Sequence, residues 1–273
     1  MKKQILHQID TLPALPSHVI ELDEFKNSNS LDIEKLTEIL KKDPLIVANI
    51  LKVANSSMFG FRSKVETLSR AINLLGIRFS VSIAIGSAIQ ETLQSNLLAY
   101  AVSNEEFIYT SALASNIVNT WVSSMDFDLK NELLLPAFLQ EVGKFIISEV
   151  IQQEKRTEEF LKDLEETKDI SLCEERYMGF TCARITANVF KRWELSANTI
   201  LPIAFAEDLE SCPEAFLKKA QILHIVKILC DIREPLSDAN IEKALKKVAL
   251  FKFDVEQFLN SIDVIKEVMK KNT

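Results

Sequence analysis

The chain has 273 residues, of which 47% are hydrophobic, enough apolar material for one large packed core or two smaller ones. Glycine is scarce, with only 5 residues, and the closest two are Gly76 and Gly86. This spacing excludes the glycine-rich phosphate loops of nucleotide-binding folds and disfavours sheets built on tight turns. Apolar residues recur at helical spacing along most of the chain, so we predict an all-α fold.

The net charge of −7 is distributed unevenly. Residues 1–97 carry 11 Lys and Arg against 10 Asp and Glu, whereas the remainder carries 21 against 29. The acidic second part argues against nucleic-acid binding, because phosphate contacts need a basic face. The N-terminus has no signal-peptide pattern, the four cysteines have no CxxC spacing, and no apolar run approaches the roughly 18 residues of a membrane span. We therefore expect a cytoplasmic protein that does not enter the membrane.

The first part of the chain predicts five or six short helices. Asp32 and Thr67 are typical N-caps, and Asp43 followed by Pro44 is the sharpest helix start in the sequence. These helices are sufficient for a small bundle, and we predict an N-terminal helical subdomain over residues 1–97.

Longer helices are predicted over residues 98–273, which we interpret as a second helical bundle. Residues 133–153 are interpreted as a helix that carries the motif Gln140-Glu141-Val142-Gly143-Lys144, and residues 172–193 as a long mixed helix. Lys144 is not assigned a catalytic role, because no nucleophile accompanies it. His224, which lies in an apolar helical run, is interpreted as a core histidine.

Short motifs in the first part follow a characteristic order. They are Leu12-Pro13, Leu15-Pro16, Asp43-Pro44, Asn55-Ser56, Ala71-Ile72 and Leu75-Gly76. In order and spacing they resemble the opening of bacterial HDOD domains. Further along, Gly179-Phe180 and Trp193-Glu194-Leu195 stand where that family places a glycine-phenylalanine pair and a Trp-Gly-Leu segment. The resemblance extends over most of the chain and implies an N-terminal helical subdomain packed on an HD-like helical bundle.

The resemblance also implies a degenerate site. HDOD domains are similar to the HD and HD-GYP metal-dependent phosphohydrolases but have generally lost activity. In the active relatives, His and Asp side chains bind one or two divalent metals, which activate water against a phosphate ester. The corresponding positions here are Thr110, Gln140, Glu141, Cys182, and Ala206 or Glu207. Cys182 is interpreted as a packed thiol rather than a redox group.

The chain holds only three histidines, although histidine is the usual nitrogen ligand of such metals. We therefore expect no metal, no cofactor and no catalytic residue. The expected function is that of a pseudoenzyme, a bacterial regulator that contacts unidentified signalling proteins. Two alternatives remain open. One is a phosphohydrolase whose rebuilt carboxylate site, Glu141 with Glu207 or Asp208, binds Mg²⁺; the other is a sensor that binds a nucleotide in the vestigial pocket.

A basic cluster in the first part is a candidate partner or anion surface. It consists of Arg62, Lys64, Arg70 and Arg78, with only Glu66 opposing it. The alternative interpretation is a solvated face on an otherwise neutral bundle, since charged residues are mostly exposed.

Overall fold

The computed structural model describes residues 1–28 and 30–272, and these confirm the all-α prediction. The α-helices are α1 (Lys2–Asp10), α2 (Ser17–Asn27), α3 (Ile33–Leu40), α4 (Pro44–Ala54), α5 (Leu68–Leu75), α6 (Ile77–Leu93), α7 (Asn104–Trp121), α8 (Phe127–Leu139), α9 (Gly143–Gln153), α10 (Thr157–Thr167), α11 (Ile170–Met178), α12 (Cys182–Arg192), α13 (Ala197–Ala204), α14 (Glu214–Leu229), α15 (Asp238–Leu250) and α16 (Val255–Lys271). Short 3-10 turns lie at Leu98–Tyr100, Val122–Ser124 and Leu209–Ser211. Within the described residues, the only extended pairing is an isolated bridge between Leu97 and Val102.

Three predicted helix starts are confirmed by side-chain caps. The carboxylate of Asp32 accepts a hydrogen bond from the backbone N–H of Lys35 at 3.0 Å and begins α3. Asp43 caps α4, whose first residue is Pro44, and Thr67 caps α5. Each cap joins a side chain to a backbone amide within the same short segment, so the local sequence is enough to predict it.

The longest helix of the first part, α6, is buried along nearly its whole length. Helices α2, α4 and α5 pack against it. Over the described ranges 1–28 and 30–272, no single helix is long and apolar enough to cross a membrane. Helices α5 and α6 meet that criterion only as a pair, and the chain bends by 117° between them.

Helix α6 also connects the first part of the fold to the second, because α8 packs on it. Gly86 of α6 and Phe138 of α8 make this contact possible. A Cβ atom at Gly86 would lie 2.2 Å from the Phe138 ring, far inside van der Waals distance. The missing side chain therefore lets the two helices approach closely.

The N-terminal helix α1 lies against the second part of the chain. It packs on α9 and α12, and the side chain of Gln4 donates to the carboxylate of Glu154. Nearby, the indole N–H of Trp193 donates to the carbonyl of Pro13 at 2.9 Å. The buried apolar side chains form one cluster that extends through both predicted parts. The division at residue 97 therefore stays a prediction.

Two segments that the sequence predicts as continuous helices are broken, and those predictions are wrong. In residues 133–153, α8 ends at Leu139 and α9 begins at Gly143, so the first three motif residues form a turn. Residues 172–193 are interrupted at Gly179, whose φ is +70°. Apolar residues continue through both breaks because the helices on either side bury against the same core, and periodicity alone does not reveal the turns.

The α8–α9 turn lies inside the second bundle. Helix α9 packs on α12, α12 packs on α13, and both α13 and α14 pack on α8. Helix α16 covers α7, where Trp121 is fully buried in edge-on contact with Phe253 and Phe258. This arrangement surrounds the turn with the ends of several helices.

We predict that Gly86→Ala lowers the free energy of unfolding by about 1–3 kcal/mol, because the added methyl group overlaps the buried Phe138 ring. Alanine favours the helix by about 1 kcal/mol over glycine. A net loss of stability in Gly86→Ala would therefore show that the overlap with Phe138 outweighs this gain. Urea denaturation followed by circular dichroism measures the change. Ser87→Ala is the matched control, since no described residue bonds to the Ser87 hydroxyl and its removal should cost little. Unchanged or increased stability in Gly86→Ala would contradict the close packing.

Candidate functional site

Four of the five predicted ancestral ligand positions lie around the α8–α9 turn. Gln140 and Glu141 are in the turn itself, Cys182 is the first residue of α12, and Ala206 follows α13. The fifth position, Thr110, is buried on α7. Within the described residues, no hydrogen bond or ion pair connects Thr110 to the other four.

Thr186 of α12 fixes the turn through its hydroxyl. The hydroxyl oxygen accepts from the backbone N–H of Gly143 at 2.9 Å. Its proton can be donated to the carbonyl of Gln140, at 3.1 Å, or to that of Cys182, at 2.9 Å. A Cβ atom at Gly143 would lie 2.8 Å from the Cys182 carbonyl oxygen. Glycine at this position therefore permits α9 to begin directly against α12.

Lys144, in the first turn of α9, is the centre of a buried ion-pair network. Its side chain is 2% exposed, and its ammonium group lies 2.8 Å from Glu141 and 2.5 Å from Glu174. Glu174, on α11, is completely buried and also accepts from the Tyr100 hydroxyl at 2.8 Å. Burial lowers the pKa of Lys144, but the two carboxyl groups outweigh it and raise that pKa well above its usual range. Lys144 is therefore a charged group inside the core.

A second lysine, Lys227 on α14, extends the network. Its ammonium group lies 2.5 Å from Glu141 and 3.4 Å from Glu207. Glu207 also accepts from the Ser171 hydroxyl at 2.7 Å and from the backbone N–H of Ala183 at 2.9 Å. Burial raises the pKa of Glu207, yet Lys227 and these two donors together lower it to about 2. Glu207 is therefore ionised at neutral pH.

Three carboxyl groups and two ammonium groups meet in this network. Burial, the largest influence on Glu174, raises the pKa of that carboxyl group. Lys144, the next largest influence, acts in the opposite direction and lowers it. In the part of the chain that the structure describes, no group of three or more His, Cys, Asp and Glu residues is arranged to hold a metal ion.

Cys182 and His224 lie next to the network and are both uncharged. Burial raises the pKa of the Cys182 thiol well above its usual range, so the thiolate is disfavoured. Burial lowers the pKa of His224, whose Nδ1 lies 2.7 Å from the carbonyl of Ala206. This contact requires a proton on Nδ1 and leaves Nε2 as a bare acceptor, for which no described residue is a partner.

An open cleft of about 590 Å³ lies above the network. Glu141, Lys144, Glu207 and Lys227 line its base, and residues of α11, α14 and α15 line its sides. Of the vestigial positions, Glu141 and Glu207 therefore line a cleft that opens to solvent, although their ion pairs are mostly buried.

The predicted basic cluster lies elsewhere, in the first part of the fold. Arg62, Lys64 and Arg70 are exposed, and Arg70 donates to the hydroxyl of Ser63 at 2.6 Å, which places Arg70 beside the segment that carries Arg62 and Lys64. Arg78 is half-buried at the start of α6 and lies close enough to Lys130 to contribute, after burial, to lowering the pKa of that lysine.

Sequence reasoning missed most of the network. The sequence gives Lys144 no catalytic role, and it does not single out Glu174, Lys227 or Tyr100 as members of a site. The available signal was a single lysine inside an apolar run: Lys144 precedes Phe-Ile-Ile, and Lys227 interrupts Ile-Val-Lys-Ile-Leu. A lysine in such a position is buried only when it is paired, so each predicts a carboxylate partner.

Comparison with known proteins agrees with this fold. The HDOD domain family matches residues 12–209. A crystal structure of a virulence factor from Campylobacter jejuni is 24% identical, covers 100% of both chains and has a TM-score of 0.59. An HDOD domain protein of unknown function from Geobacter sulfurreducens is 18% identical, over 99% of this chain and 95% of that one, with a TM-score of 0.65. At these identities the structures show a shared fold.

A curated relative from Treponema pallidum, an uncharacterized protein, is 26% identical over 92 residues. The match covers 32% of this chain and 18% of that protein. The chain thus matches less than a fifth of the relative's length, and the likeness carries no statement about activity or partners.

We predict that Lys144→Met lowers the free energy of unfolding by about 3–5 kcal/mol, because Glu141 and Glu174 lose their buried cation. The double variant Lys144→Met/Glu174→Gln should recover part of this loss, since it removes one of the unpaired acids. Urea denaturation measures both. Lys162→Met is the control, because Lys162 and Glu166 form an exposed pair worth at most about 0.5 kcal/mol. A loss no larger than in the control would contradict the network's role.

We predict that the native chain loses stability between about pH 5 and pH 2 more steeply than Glu207→Gln does. The folded state lowers the pKa of Glu207 from 4.5 to about 2, so its contribution is complete above the unfolded pKa and disappears as pH falls through the folded one. The difference should reach about 3 kcal/mol. Urea midpoints measured across this range test it, with Glu210→Gln as an exposed control. Parallel curves for the native chain and Glu207→Gln would refute it.

Proposed function

The chain belongs to the HDOD domain family, and on that premise we propose that it is a non-catalytic regulatory protein of bacterial signal transduction. It acts in the cytoplasm by contact with a signalling protein. One observation carries this proposal: two lysine ammonium groups bind the carboxylates at the vestigial site, where the active relatives of the family hold metal ions.

The two ion pairs of Glu141 support the proposal that the protein is not catalytic. Its Oε2 contacts Lys144 and its Oε1 contacts Lys227, so both oxygens face fixed cations. A divalent metal at this carboxylate would meet two ammonium charges at short range, and their repulsion opposes its binding. The other vestigial positions, Thr110, Gln140, Cys182 and Ala206, supply a hydroxyl, an amide, a neutral thiol and a methyl group in place of imidazole and aspartate.

The proposed contact surface is the exposed basic group formed by Arg62, Lys64 and Arg70. Its charge favours an acidic partner surface, because complementary potentials speed association and disfavour wrong partners. This surface belongs to the first part of the fold, whereas the vestigial site belongs to the second. Partner contact therefore does not require the cleft.

We predict that the purified protein holds no stoichiometric Fe, Mn, Zn or Mg and hydrolyses neither nucleotides nor cyclic dinucleotides. The reason is that Lys144 and Lys227 already neutralise the carboxylates that a metal would need. Elemental analysis and chromatographic assays with added Mg²⁺ or Mn²⁺ measure this, beside an active HD phosphohydrolase as positive control. One metal per chain, or turnover that is lost in Glu141→Gln, would overturn the proposal.

The partner half of the proposal is tested by affinity capture from the native bacterium followed by mass spectrometry. A specific partner should bind the native chain and the control Lys191→Glu/Lys218→Glu, but not Arg62→Glu/Arg70→Glu. The control changes two exposed lysines on α12 and α14, away from the basic surface. Equal capture by both double variants would rule out this surface.

A second candidate function is a phosphohydrolase with a rebuilt carboxylate site. One observation favours it: Glu141 and Glu207 both reach Lys227 and both line the open cleft. If Lys227 moved aside, two carboxylates would face the entrance close together and could bind Mg²⁺. The same activity assay separates the two functions.

A further inference from the structure

The mouth of the cleft, meaning its exposed and half-buried charged side chains, carries both signs of charge. Its lysines come from α15 and from the residue after α10, and they are Lys168, Lys243, Lys246 and Lys247. Its carboxylates come from the cap and body of α11 and from the segment after α14, and they are Asp169, Glu175 and Asp231. Lys246 pairs at 2.7 Å with Glu242, which does not line the cleft. The other three lysines equal the three carboxylates in number, so the mouth has no net charge.

The lysines and carboxylates of the mouth do not pair with one another. In the part of the chain that the structure describes, no ion pair joins Lys168, Lys243 or Lys247 to a carboxylate. Asp169 and Asp231 accept hydrogen bonds from backbone N–H groups, which have no formal charge and do not neutralise them. The third carboxylate accepts from no described residue. Both signs of charge are therefore held apart on different elements and are left to solvent or to a ligand.

Apolar side chains line the same cleft. Ile170 and Leu172 belong to α11, and Ile228 and Ile232 lie at the end of α14 and just beyond it. Leu172 is 41% exposed although it is a large apolar side chain. A ligand with an apolar body would remove such surface from water, which is favourable. The volume of about 590 Å³ falls within the usual range of small-molecule sites.

We infer that this cleft binds a small zwitterion with an apolar body, of the class of free apolar amino acids and short apolar peptides. The carboxylate of the ligand pairs with Lys243 and Lys247 of α15, and its ammonium group pairs with Glu175 of α11. An ion of one sign would meet groups of both signs here, whereas a zwitterion can pair with each. The inference goes beyond the proposed function and does not depend on it: it gives the regulator a ligand to sense, away from the basic contact surface.

Isothermal titration calorimetry of the full chain tests the inference with leucine and leucyl-leucine, zwitterions of two sizes. Each has two matched analogues: the N-acetyl form keeps only the carboxylate, and the amide form keeps only the ammonium group. At least one zwitterion should bind once per chain, about fivefold more tightly than either of its analogues, because each analogue lacks one partly exposed ion pair. Absence of saturable binding by both zwitterions, or equal affinity for a zwitterion and its two analogues, overturns the inference.

A lysine variant assigns the carboxylate end of the ligand. Lys243→Ala/Lys247→Ala should weaken binding of the zwitterion by about fivefold and should not weaken binding of the amide form, which has no carboxylate to lose a partner. Lys191→Ala/Lys218→Ala, which changes two exposed lysines elsewhere, is the matched control and should bind like the native chain. Equal weakening of the zwitterion by both double variants would place the binding outside this cleft and refute the inference.

A carboxylate variant assigns the ammonium end. Glu175→Gln should weaken binding of the zwitterion and leave that of the N-acetyl form unchanged, with Glu210→Gln as an exposed control. Equal weakening of both ligands by Glu175→Gln would contradict the assigned orientation. These titrations measure binding in the cleft, whereas metal content and phosphohydrolase turnover decide the proposed function. Either proposal can therefore fail while the other stands.

Discussion

The contact on which the site depends is the buried pairing of Lys144 with Glu141 and Glu174. An ammonium group without a partner in this interior would lose its hydration with nothing to replace it. The charge is therefore retained only because the α8–α9 turn and α11 bring carboxylate acceptors to one point. Tyr100, in the adjacent 3-10 turn, holds one of these acceptors by donating its hydroxyl to Glu174. The charge of Lys144 and the positions of these elements depend on each other, since moving any of the elements would leave a buried ion unpaired.

The network gives the vestigial site a permanent cation from its own chain. In a metal-dependent relative, carboxylates and imidazoles are satisfied by an ion that can be lost or exchanged. Here Lys144 and Lys227 are covalently part of α9 and α14, so the carboxylates are neutralised whatever metal the cell provides. The cleft nevertheless persists, because its walls are the surfaces of helices that the core requires. Neutralised carboxylates and a concave surface are thus compatible on one fold.

The predictability of each feature follows from how far apart its parts lie in the chain. The caps at Asp32, Asp43 and Thr67 join neighbouring residues, and they were predicted correctly. The breaks near residues 140 and 179 were missed, because apolar patterning continues through them. The partners of Lys144 were missed for a related reason: Glu174 is 30 residues away, and nothing local indicates which carboxylate returns to it. A buried charge can be suspected from sequence, but its partner cannot be read off.

The sequence by itself determined the helical fold and the absence of the usual ligand chemistry, because both follow from residue types and their periodicity. Gln140 and Cys182 cannot act as imidazoles in any fold, and a chain with three histidines has few with which to replace them. Only the tertiary structure decided which groups pair with the carboxylates at the vestigial site. Lys227 and Glu141 are 86 residues apart and meet only because α14 packs on α8. An ion pair is set by distance in space, which residue spacing along the chain does not specify.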